Sequence, residues 1–443
     1  MSLLTSKHGR NDSVGARHSC RRNVDLPISS RVFESRVPTP GIAKGSSTGD
    51  ECGKAVCVWT LLRNECRAPA ISTASLGLRL LVLAAGLFVS AQAPAAALSP
   101  IVVSKDGSRF ELADSGKPFR VWGVNYDHQD GSGRLLEDYW HDEWATVVED
   151  FGEIRDLGAN VVRIHLQFGA FMESPTKPNA KNPRQLSKLI ALAETNGLYL
   201  DITGLGCYHK KDVPAWYDAL DEKARWAAQA AFWSSVAKTC AKSPAIFCYD
   251  LMNEPILPGG KKETAWLAGE FGGKHFVQRI SLDLKGRNRE EVAKAWVDTL
   301  VAAIRKHDQW CPITVGVIPW ALTWPNAKPL FYSPTVSEKL DIVAVHFYPR
   351  KGEVAKALAA LKVYDIGKPI VVEEIFPLSC GMDELEQFMK KANSVAEGWV
   401  SFYWGKTADD YAREKDGGIA AAIKGAWIKR FKELAPEMTA SPK

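Results

Sequence analysis

Ile246-Phe247-Cys248-Tyr249-Asp250-Leu251-Met252-Asn253-Glu254-Pro255 is the stretch on which the fold turns. Residues 246–252 form a short, largely apolar run, too brief for an ordinary buried helix and lacking the polar alternation of a half-exposed strand. They read as a strand covered on both faces, the kind found in parallel sheets. The run then closes on a carboxylate, Glu254. An apolar strand that terminates in Glu is costly unless the carboxylate opens into a cleft.

Similar apolar, β-rich runs recur on either side, at residues 120–125, 160–166, 198–203, 313–318, 342–347, 369–374 and 399–404, which makes eight in all. Between them lie segments with three- to four-residue apolar spacing, at 144–157, 185–196, 222–241, 289–306, 354–365 and 382–396, with another at 419–434. The segment after the fifth run is weak, only 335–340. Gly158, Gly197, Gly367 and Gly398 stand where helices should end. Strands alternating with helices imply parallel βαβ units, and eight of them predict an α/β fold, a (β/α)8 TIM barrel. A doubly wound open sheet is the structural alternative, but no Gly-rich fingerprint follows the first run. Before the barrel, Asp106-Gly107 and Ser115-Gly116 punctuate short strands and predict an N-terminal β-hairpin. Two long loops, 204–220 and 256–288, follow the third and fourth strands. In a barrel they belong to the face that carries the site.

The first 75 residues look different. They mix Ser, Gly, Pro and Arg without sustained periodicity and read as a non-structural leader. Residues 76–97 then present Arg79, an apolar run from Leu80 to Val89 and the small residues Ala95-Ala96-Ala97, the pattern of a secretory signal peptide. The run is too short to span a bilayer, so no stable membrane anchor is expected. A signal this far from Met1 suggests that translation starts downstream, for instance at Val56, Val58 or Leu61, since no Met separates Met1 from Met172. The remaining residues, 98–443, are expected to form one exported domain, secreted or periplasmic, working as a monomer.

That division explains the charge. The whole chain has a formal net charge of +5, with 24% charged and 46% hydrophobic residues, a balance that excludes a disordered or collagen-like protein. Up to Arg79 there are twelve Lys and Arg against six Asp and Glu, which leaves 44 basic and 45 acidic residues after it. The basicity therefore sits in the leader, and nothing supports nucleic-acid binding. Five cysteines follow the leader (207, 240, 248, 311 and 380), an odd number without C-x-x-C spacing. They are expected to be mostly buried small apolar residues, with at most partial pairing.

The strand ends carry the chemistry. The fourth closes on Glu254 and the seventh on Glu373-Glu374, three strands apart around one barrel, so two carboxylates aim across its mouth. A pair about 5–5.5 Å apart suits retaining glycoside hydrolysis, one group as acid/base and the other as nucleophile. A metal site is the rival, but no His-rich ligand spacing accompanies the Glu residues, and neither metal nor cofactor is expected.

Asn253-Glu254-Pro255 at the end of the fourth strand resembles the signature of glycoside hydrolase family 5, in clan A of the β/α-barrel glycosidases. The resemblance extends over roughly residues 102–434. It implies that Glu254 is the acid/base and that Asn253 contacts the sugar 2-hydroxyl. The family's Lys-Pro-apolar-apolar-apolar-x-Glu pattern, read from Lys368-Pro369, puts the nucleophile on Glu374. Glu373 is then expected to face away, in a salt bridge behind the barrel wall, because strand neighbours point to opposite faces. Arg163 matches the family's second-strand Arg, His346 and Tyr348 its sixth-strand pair, and Trp404 its platform under the sugar. Trp320 and Trp324 are further subsite candidates.

The sequence departs from the cellulase pattern where the third strand ends in Asp201-Ile202-Thr203 and where Phe376 replaces a Gly. The missing third-strand His, the Glu373-Glu374 doublet and the leading hairpin look more like the β-mannanase-type branch. The resemblance implies a retaining enzyme cleaving β-linked polysaccharide or oligosaccharide of β-mannan or β-1,4-glucan type, which the signal-peptide pattern makes a secreted one. A barrel that binds carbohydrate without catalysis is the alternative.

Overall fold

Each barrel strand hydrogen-bonds in parallel to its neighbours, and the circle closes through one interrupted strand. The computed structural model describes residues 98–440 except 129–130, 326 and 415–416; the expected leader and signal peptide, residues 1–97, lie outside the described residues. In order, the barrel strands are Val121–Tyr126, Val161–Gln167, Tyr199–Gly206, Ile246–Asp250, the split fifth, Val343–His346, Ile370–Ile375 and Ala396–Trp404. The fifth breaks at Val315: Ile313–Thr314 pairs with the fourth strand and Gly316–Val317 with the sixth. Side chains take over the ladder at the break. The Tyr332 hydroxyl donates to the Val315 carbonyl at 2.5 Å, and the Gly316 amide donates to Asp250 Oδ1 at 2.7 Å. The expected TIM barrel is the fold.

Helices cover the outside, among them Trp144–Asp156, Lys181–Asn196, Glu222–Cys240, Arg289–Arg305, Val354–Lys362, Met382–Ala392 and Gly418–Met438. Asp221 caps its helix by accepting from the Ala224 amide, and Asn288 and Glu291 form a reciprocal capping box. After the fifth strand the described residues form a one-turn helix, Trp320–Thr323, and a 3-10 turn, Ser337–Lys339, in keeping with the weak periodicity there. Gly398 does not end a helix. It lies inside the eighth strand, where a Cβ would overlap Val121 Cβ, so it permits close strand packing instead.

The leading segment is a three-stranded antiparallel sheet, Ile101–Val103, Phe110–Leu112 and Pro118–Phe119, one strand more than a hairpin. Its Ile101 and Phe110 pack with Val121, Val161, Tyr199 and Phe247, residues near the starts of barrel strands, and so plug the end opposite the strand termini. Full burial of a side chain such as Phe110 contributes about 1.5–3 kcal/mol. All five cysteines of the described chain are free thiols. No helix among the described residues is long and apolar enough to cross a membrane.

Candidate active site

The seventh strand carries an irregularity that shapes the whole site. Val345 pairs with Val372, but the next residue, His346, pairs with Glu374, so one residue of the seventh strand is extra. The same excess appears against the eighth strand, where Val372 pairs with Trp399 and Ile375 with Ser401. Such a bulge breaks the alternation of faces. Glu373 is therefore not behind the barrel wall: both Glu373 (1% exposed) and Glu374 (6%) contact Arg163.

Arg163 stands at the centre, with no exposed surface. Its Nη1 donates to Glu374 Oε1 and Asn125 Oδ1, and its Nη2 to Asp250 Oδ2 and Asn253 Oδ1, each at 2.9 Å. Burial disfavours its charge, but Glu373, Asp250 and Glu374 outweigh that and hold the guanidinium ionised. The other oxygen of Glu374 accepts from the Tyr348 hydroxyl at 2.6 Å. Both lone-pair faces of this carboxylate are thus fixed by donors, one of them a cation. Burial and the adjacent Glu374 push the Tyr348 hydroxyl well above its ordinary pKa, so it stays a donor.

Glu254 sits just beyond the fourth strand with φ of +48°, a left-handed conformation uncommon outside glycine and costing about 1–3 kcal/mol. Its amide donates to the Gly316 carbonyl at 2.8 Å, which helps hold that turn. His346 Nδ1 lies 2.9 Å from Glu254 Oε1 and 3.5 Å from Glu374 Oε2. One oxygen each of Glu254 and Glu374, with this ring nitrogen, fall within 4.8 Å of one another. Burial opposes protonation of His346, yet Glu374, Glu254 and Glu373 overcome it and push its pKa up to about 10.

Among the described residues, two trios are close enough to share an ion, Glu254–His346–Glu374 and Asp201–Cys248–Glu373. Both lie around Arg163 and His346, which already supply positive charge to the carboxylates, so the donor sets suit a charge-balanced acid pair rather than a metal centre.

Residues 112–407 match the family described as cellulase, glycosyl hydrolase family 5. The chain belongs to glycosyl hydrolase family 5. Among solved structures, the exo-β-1,4-mannosidase of Opitutaceae bacterium strain TAV5 superposes with a TM-score of 0.56 at 15% identity, over 76% of this chain and 62% of that one. This chain thus spans less than two thirds of that enzyme's length. A GH5_18 protein from Bifidobacterium longum subsp. infantis gives 0.52 at 14% identity, over 73% and 80% of the two chains. The β-mannanase of the blue mussel Mytilus edulis gives 0.51 at 15% identity, over 76% and 97%. No curated protein matches the chain.

Within this family 5 barrel, Glu254, Glu374, Arg163, Asn253, His346 and Tyr348 converge at the mouth. Asn253, however, is 2% exposed, and its amide is engaged at both ends, by Arg163 and by the Phe276 carbonyl at 3.0 Å. It acts as a strut rather than an open sugar contact. Trp404 is also 1% exposed, packed beside Tyr126 with ring centroids 6.0 Å apart, and offers no free face as a platform. The aromatic ring next to Tyr348 is the half-buried Phe402, 6.2 Å away. Trp320 and Trp324 stack on each other at 5.3 Å after the fifth strand, and Trp324 is 38% exposed, so this pair keeps an open face.

Three features had no sequence signal strong enough to single them out. Asn125 ties the first strand to Arg163 and donates to the Glu373 carbonyl at 2.9 Å. Asp250 accepts from Arg163 and from Thr203 at 3.0 Å. The loop after the fourth strand turns back over the mouth, where Phe276 packs against Tyr208 at 5.0 Å and Phe402 at 6.4 Å, and Lys274 lies 3.8 Å from Asp127. Only the length of that loop hinted at this.

The Tyr348 contact gives a direct prediction. Tyr348→Phe removes one charge-directed hydrogen bond, worth about 1.5–3 kcal/mol, so kcat falls roughly 10- to 150-fold with the fold intact. Steady-state rates beside a thermal melt check this; an unchanged rate contradicts the assigned contact.

Proposed function

We propose that this chain is an exported, monomeric, retaining β-glycosidase acting on β-linked polysaccharide or oligosaccharide of mannan or β-1,4-glucan type. The observation that carries the reading is the convergence of the two carboxyls at the barrel mouth, one oxygen of Glu254 and one of Glu374 lying within 4.8 Å of each other and both within 3.5 Å of His346 Nδ1. Inverting enzymes need room for a water between their carboxyls, about 6.5–9.5 Å, whereas retaining pairs stand about 5–5.5 Å apart.

In this reading a Glu374 oxygen attacks the anomeric carbon while Glu254 gives its proton to the departing glycosidic oxygen. The sugar–oxygen bond breaks as the bond to Glu374 forms. Glu254, now a carboxylate, then takes a proton from water, whose oxygen displaces Glu374 and restores the starting configuration. Arg163 and Tyr348 hold Glu374 in line and ionised; His346 steadies Glu254 as it gains and loses its proton. The mannoside-active names among the structural neighbours, an exo-β-1,4-mannosidase and a β-mannanase, favour mannan-type linkages as the first to try. The open Trp320–Trp324 face, near the acid/base strand, suits a sugar ring on the leaving side.

The test is release of reducing ends from a panel of β-mannan, β-1,4-glucan, xylan and aryl β-glycosides, with product lengths measured. Release from mannan or glucan supports the reading. Sugar binding with no release from any member points instead to a non-catalytic carbohydrate-binding barrel.

A further inference from the structure

Glu373 takes no part in the two-step reaction, yet it is buried where an ionised group is costly. Its Oε2 lies 3.4 Å from Arg163 Nη2 and 3.4 Å from His346 Nε2. Space for it depends on Gly316, where a Cβ would overlap Glu373 Oε2 and stand 2.9 Å from His346 Nε2 and 3.0 Å from Asp250 Oδ2. Alongside Glu373 lies Asp201, with no exposed surface and no donor to either oxygen. One oxygen of Asp201, one of Glu373 and the Cys248 sulfur are within 4.8 Å of one another.

Two buried carboxyls this close do not both ionise. The one that touches Arg163 and His346 keeps the charge; the other, reached by no N–H or O–H and with only the weakly donating Cys248 thiol beside it, is satisfied by holding a proton and donating it to its neighbour. The electrostatics run the same way. Burial and Glu373 push Asp201 well above the usual carboxylate range; burial opposes ionisation of Glu373 too, but Arg163 and His346 bring it below its ordinary value.

The imidazole of His346 has carboxylate oxygens at both ring nitrogens: Glu254 and, farther off, Glu374 at Nδ1, and Glu373 at Nε2. A neutral ring would turn a lone pair toward one of them. Around it also stand Arg163 and the buried His165 from the second strand, the His165 ring held neutral by burial, Arg163 and His346, and Asp250 from the fourth strand, which shares the space over Gly316 with His346. We propose that Glu373 is a positioning residue of this glycosidase: its carboxylate, held ionised by a proton shared from Asp201, keeps His346 doubly protonated and aimed at Glu254.

The catalytic consequence rests on the two-carboxylate mechanism, but the first readout needs no substrate, so the two can fail separately. In protein labelled with 15N-histidine, the His346 ring nitrogens are followed by NMR against pH, in the wild type, in Glu373→Gln and in Asp201→Asn. Removing the anion in Glu373→Gln lowers the His346 titration by at least about one pH unit, and the alkaline limb of kcat/KM moves the same way. Asp201→Asn exchanges one neutral hydrogen-bond donor for another and leaves the His346 titration within about 0.3 unit of wild type. A folded Glu373→Gln protein in which His346 titrates as in the wild type overturns the proposal. So does an Asp201→Asn protein that lowers the titration by about a unit or more, because Asp201 would then hold the charge. If Glu373→Gln does not fold, Asp201→Asn alone decides by the same criterion.

Discussion

Glu374→Ala lowers kcat by roughly 10⁴-fold or more, because removal of a group that acts only as part of a concerted unit forfeits nearly all the transition-state stabilisation of that step. The substitution leaves a small void beside two donors, the Arg163 guanidinium and the Tyr348 hydroxyl, which in the native protein lie 2.9 and 2.6 Å from the carboxylate oxygens. A small anion fits that void. With an aryl β-glycoside of good leaving ability, azide attacks the anomeric carbon from the side Glu374 occupied, and aryl oxide departs. Turnover therefore returns in proportion to azide, and the product is the inverted α-glycosyl azide. A Glu374→Ala protein with full activity and no response to azide would remove Glu374 from the role.

Arg163→Met produces the largest loss of stability. The guanidinium is fully buried and lies against Glu374, Asp250 and Glu373, at 2.9, 2.9 and 3.4 Å. Removing one partner of a buried ionic cluster strands the others in a medium that solvates them poorly, and costs about 3–5 kcal/mol. The carboxylates respond by taking up protons, so Glu374 also loses nucleophilicity and activity collapses with stability. Arg163→Lys keeps the charge but cannot bridge Glu374, Asn125, Asp250 and Asn253 from one planar group, and falls between wild type and Arg163→Met. Urea unfolding midpoints of the three proteins check the order. Equal midpoints for wild type and Arg163→Met would contradict the cluster's role.

Much of this was readable from residue pattern because the barrel is built of repeated units. Short doubly covered strands repeat eight times and three- to four-residue helical spacing seven, and the fold follows from that repetition even where one helix is missing. The strand-end carboxylates were readable for a related reason: Glu at the end of an apolar strand has few structural explanations. What stayed hidden depends on single backbone departures. The period-two rule assumes an unbroken ladder, and the extra residue in the seventh strand brings Glu373 inward beside Glu374. The left-handed turn at Glu254 is likewise a property of the Gly316 carbonyl and the split fifth strand rather than of its own sequence. Trp404 and Asn253 sit where the family pattern suggests, but contacts with Tyr126 and the Phe276 carbonyl close them off. Tyr126 is the partner of Trp404 on the neighbouring first strand, and Phe276 lies in the long loop after the fourth strand; neither contact follows from periodicity within one segment.

Glu374 as the nucleophile that bonds to the anomeric carbon is tested most directly by trapping the glycosyl-enzyme. A 2-deoxy-2-fluoro β-glycoside with a good leaving group slows release of the glycosyl-enzyme, so the covalent species accumulates and can be digested and sequenced by mass spectrometry. A single fluoroglycosyl addition is expected on the peptide containing residues 370–376, placed by fragmentation on Glu374. A label on Glu373 or on Glu254, or turnover that yields the inverted product with no covalent species, would contradict it.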